Sequence, residues 1–67
     1  MASLAEQLPA EQARVRELVK EYRSIGPAGE PAARMMEQDL ARAETAAASG
    51  DVIAMLRAYT ALQGWTG

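Results

Sequence analysis

Ala46-Ala47-Ala48-Ser49-Gly50-Asp51-Val52-Ile53-Ala54-Met55-Leu56 is the stretch that decides the fold. A run of helix formers leads into Gly50, which suits the left-handed residue that ends a helix. Asp51 suits the N-cap that begins the next one. A break this short turns the chain straight back on itself, so the spacing predicts a tight antiparallel hairpin of helices two and three. Downstream, a helix over 51–63 (body Val52–Gln63) places Val52, Met55, Leu56, Tyr59 and Leu62 on one face, widened by Ile53. Gly64 ends that helix and leaves 64–67 as a tail carrying Trp65.

Upstream of the break, helix two is expected over 31–48, with Pro31 at or near its first turn. Its face is Met36, Leu40, Ala43 and Ala47, flanked by Ala32, Met35 and Ala46. Beyond Leu40 this face holds only small side chains, which permits close helix approach rather than a thick core. The linker Gly26-Pro27-Ala28-Gly29-Glu30-Pro31 precedes it, Gly26-Pro27 ending the first helix. That first helix is expected over 9–24, with Pro9 in its first turn and Val15, Leu18, Val19, Tyr22 and Ile25 on one face. Leu4 and Leu8 continue the stripe, and Ser3 with Glu6 has the spacing of a capping box, so 3–8 reads as a short helical lead-in. The fold class is therefore all-α, three helices in one small domain spanning 1–67.

Half of the chain is hydrophobic, but 15 of those residues are Ala and there is no Phe. A 67-residue chain with so few large apolar side chains buries only about 60% of its unfolded surface and supports a thin core. The absence of Cys and His removes disulfides and thiolate or imidazole metal sites as supplements. Self-association or a docked protein partner is the remaining supplement, so a homo-oligomer is expected. No apolar run approaches the roughly 20 residues of a membrane span. The N-terminus has neither the basic start nor the apolar stretch of a secretory signal, and with no Cys the expected location is the cytoplasm.

The search for chemistry returns no catalytic residue, no cofactor site and no metal site. Ser3, Ser24 and Ser49 lie near helix ends, where Ser serves structure, and no His is present to activate them. Gly26 to Gly29 is too short for a phosphate cradle and lacks the following Lys. The acids have helix-surface roles in the pairs Glu30–Arg34, Arg34–Glu37 and Asp39–Arg42, with Asp51 used as a cap. An enzyme is not expected, nor a small-molecule substrate. The net charge of −2 points away from nucleic acid. Arg14, Arg16, Lys20 and Arg23 gather on helix one, but Glu11, Glu17 and Glu21 interleave with them, which reads as a solvated ion-pair face.

Protein contact is the remaining class. Leu4, Leu8, Val15, Leu18, Tyr22 and Ile25 follow a heptad interrupted by Glu11. This is either a self-pairing seam, with Leu8, Val15, Leu18, Tyr22 and Ile25 as its residues, or the core face of a three-helix bundle. Met35, Met36 and Met55 are either an adaptable docking surface or gap-fillers beside Ala. Trp65 either folds back over the end of the bundle or stays exposed as an anchor. The candidate interface residues are Trp65, Tyr22, Met35 and Met36.

Tyr22-Arg23-Ser24-Ile25-Gly26-Pro27-Ala28-Gly29 together with Ser49-Gly50-Asp51-Val52-Ile53-Ala54-Met55-Leu56-Arg57-Ala58-Tyr59 resembles small helical accessory proteins of Mu-like prophages, over roughly residues 14–63. The resemblance implies a setting rather than site residues. In that setting a non-enzymatic inhibitor or modulator of a host or defence protein, such as CRISPR–Cas, is expected to act by steric occlusion. Two other classes stand beside it: a small DNA-associated regulator or antitoxin-like protein, and a structural homo-oligomer.

Overall fold

A computed structural model describes residues 3–66. Among them the chain forms α1 (Leu4–Ser24), a 3₁₀ turn (Pro27–Gly29), α2 (Glu30–Ser49) and α3 (Val52–Gln63). The three helices pack on one another in a body of 35 × 22 × 15 Å.

The lead-in and first helix are one continuous element, and Pro9 lies inside it rather than in its first turn. Pro9 removes a single helical hydrogen bond, to the carbonyl of Ala5, and both residues are exposed, so that carbonyl stays accessible to solvent and the loss is tolerated. Leu8 is fully buried and holds this segment to the core. The Ser3–Glu6 capping box does not form: the Ser3 side chain makes no cap bond, and its carbonyl accepts the Gln7 N–H at 2.8 Å. The buried face of α1 is Leu8, Gln12, Val15, Leu18 and Val19, so a Gln occupies a position the apolar stripe skips.

After α1, the chain turns at Gly26, whose φ is +102°. Gly29 closes the 3₁₀ turn under a different constraint, because its backbone is ordinary and its surroundings are not. It is buried, and a Cβ there would overlap the backbone carbonyl of Tyr22. Only a residue without a side chain lets the start of α2 come this close to the end of α1.

On α2 the buried positions are Ala33, Met36, Leu40, Ala43 and Ala46. Ala46 rather than Ala47 therefore continues the core face. The hairpin is as the sequence indicates. Gly50 adopts φ +71° and its N–H reaches the Ala46 carbonyl at 3.1 Å. Asp51 Oδ1 accepts the Ala54 N–H at 3.2 Å and caps α3.

The orientation of α3 differs from the expected one. Its buried residues are Ala58 and Leu62, with Met55 and Tyr59 half-buried, while Val52 and Leu56 face outward. Ala43 and Ala46 on α2 and Ala58 on α3 are all buried. Small residues on both helices let the axes come close, and a helix seated on its Ala turns its bulky neighbours away.

Candidate protein-interaction surface

The residues singled out for partner contact are mostly used within the chain. Met36 is 0% exposed and is part of the core, which corrects its place among the interface candidates. Leu8, Val15 and Leu18 are likewise buried among α1, α2 and α3, so of the two readings of this stripe the core face is the one observed, and these three residues are not free for a self-pairing seam. Of that seam Ile25 alone is largely exposed, with Tyr22 half-buried. Met35 remains on the surface.

Trp65 folds back. Its ring packs against the core and its Nε1–H donates to Asp39 Oδ2 at 2.8 Å. Arg14 from α1 donates to the carbonyls of Trp65 at 2.8 Å and Leu62 at 2.9 Å, satisfying acceptors at the end of α3 with a cation that suits the helix dipole there. The Tyr22 hydroxyl donates to the Thr66 carbonyl at 3.2 Å. Tail, α1 and α2 are thus tied together at this end of the molecule.

The charges of α1 are paired one by one. Arg14 meets Glu11, Arg16 meets Glu44, Lys20 meets Glu17, and Arg23 meets both Glu30 and Glu37. On α2, Glu30–Arg34 and Asp39–Arg42 form as the spacing suggests, but Glu37 turns to Arg23 rather than to Arg34. Hydrogen bonds from Arg23, and then from Arg34, hold the Glu30 carboxyl below the usual carboxylate range. The Glu37 and Glu30 carboxylates in turn raise the Arg23 pKa above its ordinary value. Among the described residues Arg57, on α3, is the one cation without an ion pair.

α3 carries the surface that the sequence reading missed. Val52, Ile53 and Leu56 are 59%, 64% and 49% exposed and adjoin one another on the outside of the helix. Beside them a groove of about 620 Å³ runs between α2 and α3. Ala46, Ala54, Ala58 and Ala61 line it, and Arg42, Asp51 and Arg57 stand among its charged residues. One signal in the sequence pointed here: Val52-Ile53-Ala54-Met55-Leu56 is apolar at every position, wider than a single core-facing stripe can bury.

Among the described residues no three His, Cys, Asp or Glu side chains gather to hold a metal ion, and no helix is long and apolar enough to cross a membrane. No protein-family model matches the chain, and no curated protein or solved structure matches it.

Proposed function

We propose that this chain is a non-enzymatic protein-binding module whose contact surface is the outer face of α3 and the groove beside it. The observation that carries the reading is the contiguous exposure of Val52, Ile53 and Leu56 next to an Ala-lined slot. A contiguous exposed apolar patch is a mark of protein contact, and the slot offers room for the partner's own side chains. The carboxylates paired with every cation of α1 favour a protein over a nucleic-acid partner, since phosphate would have to displace each of them. Binding acts sterically, by covering the partner's surface. The resemblance to accessory proteins of Mu-like prophages suggests a host or defence protein as the target class.

The test is a tagged pull-down from a lysate of the source organism, with nuclease treatment in parallel and Ile53→Glu as the comparison. One stoichiometric, nuclease-resistant protein, retained by the native chain and lost with Ile53→Glu, is the expected result. Partners that vanish with nuclease overturn the reading, and equal retention by Ile53→Glu overturns the surface.

A further inference from the structure

We propose that the groove between α2 and α3 takes an amphipathic α-helix of a partner protein, and that a carboxylate on that helix pairs with Arg57. The inference rests on the protein-binding reading above and names the chemistry of the partner. The walls of the groove decide the form of its occupant. Both are α-helices, whose backbone groups bond within themselves, so they offer no free edge to an extended peptide. Such a peptide would bring its own unpaired N–H and C=O groups into an apolar slot. A helix brings none. The floor, made of the buried Ala46 and Ala58 with the half-buried Ala54, is low enough for a third helix axis to come close. On the α3 wall Ile53, Arg57 and Ala61 fall one above the other, so an apolar anchor and a cation stand side by side.

Charge decides the rest. Asp39, Asp51, Arg42 and Arg57 all line the groove, but its carboxylates are already engaged. Asp39 accepts from Arg42 on one oxygen and from Trp65 on the other, and Asp51 caps α3. The guanidiniums are freer. Among the described residues Arg57 has no ion pair, and Arg42 reaches Asp39 only at 3.5 Å with its side chain 75% exposed. Arg42 and Arg57 lie nearly equally far along the chain from Gly50, so the hairpin sets them at about the same level on opposite walls. A carboxylate seated there has guanidinium donors on both sides. On α1 an incoming carboxylate would instead have to displace a resident one from every cation.

Selection from a displayed library of helical peptides tests this, with the native chain, Ile53→Glu and Arg57→Glu as baits. Both substituted side chains are exposed, and circular dichroism checks that the variants stay helical. The native chain is expected to enrich peptides with an apolar stripe of helical spacing and an Asp or Glu beside it. Arg57→Glu is expected to select Lys or Arg at that position, and Ile53→Glu to enrich nothing. Fluorescence anisotropy of one enriched acidic peptide should show its binding weakened about tenfold by Arg57→Glu. No enrichment by the native chain, enrichment without acidic residues, or an affinity untouched by Arg57→Glu overturns the proposal. A native chain that sediments at twice its 7.2 kDa mass, and at single mass with Ile53→Glu, gives the face to a second copy and also overturns it. A protein lost from the pull-down with Ile53→Glu but retained by Arg57→Glu overturns the acidic helix and leaves the protein-binding reading standing.

Discussion

α1 and α3 treat their apolar residues in opposite ways. On α1, Leu8, Val15, Leu18 and Val19 are all buried and each cation meets a carboxylate. On α3, the larger residues Val52, Ile53 and Leu56 are exposed, Ala58 is buried in their place, and Arg57 has no ion pair. The difference follows from the width of the apolar band. The stripe of α1 is narrow enough for its neighbours to cover. That of α3 reaches too far round the helix, so the chain buries the side that packs closest and leaves the rest outward. The apolar residues of the first helix are covered by its own chain, and part of those of the third is left exposed.

The strongest challenge to that contrast lies within α3 itself. Leu62→Ala empties a fully buried site and should cost about 2–5 kcal/mol. Leu56→Ala, on the outer face, should change the stability of the dilute single chain by less than about 0.5 kcal/mol. Denaturant unfolding of both variants at low protein concentration measures the difference, and similar losses would mean that α3 is rotated from the orientation described.

Next in size is the close approach of α1 to the start of α2. Gly29→Ala forces a methyl against the Tyr22 carbonyl, an overpacking worth about 1–3 kcal/mol. The same unfolding measurement reads it. A neutral result would show that the 3₁₀ turn moves away without cost and that the end of α1 is less tightly held than the contrast requires.

The smallest effect belongs to the exposed ion pairs that α1 has and α3 lacks. Glu30 has a folded pKa below its ordinary value of 4.5 because Arg23 and then Arg34 donate hydrogen bonds to it. Its contribution is therefore present above 4.5 and lost as pH falls through the lower, folded value. The native thermal midpoint should fall in this acid range, and Glu30→Gln should show a shallower fall. Because the pair is solvent-exposed, the difference should be small and should shrink with added salt. Identical pH profiles would remove Glu30 from the clamp.

Local chemistry accounts for what was legible. The Gly50–Asp51 break, the Pro31 start and the α1 stripe each depend on residues within a turn or two of one another, so the helices and their hairpin follow from the chain order. Pro9 misled because it usually marks a helix start, and here the buried Leu8 keeps the helix going on its other side. Met36 lay on the periodic face of helix two, and of its two readings the core one holds, whereas Gly29, read as a linker residue, belongs to a contact between elements that no local pattern reports.

By itself the sequence determined an all-α chain of three helices, where each of them stops, the Asp51 cap of α3, and a core too thin in large side chains to be generous. The tertiary structure decided which side of α3 faces inward. It also decided that Trp65 folds back, through Asp39 on α2 and Arg14 on α1. The physical reason is range: helix formation and capping are settled between near neighbours. The choice between Ala58 and Leu56 as the buried residue depends on how closely two helices can pack, which is a property of the pair and not of either strip of sequence.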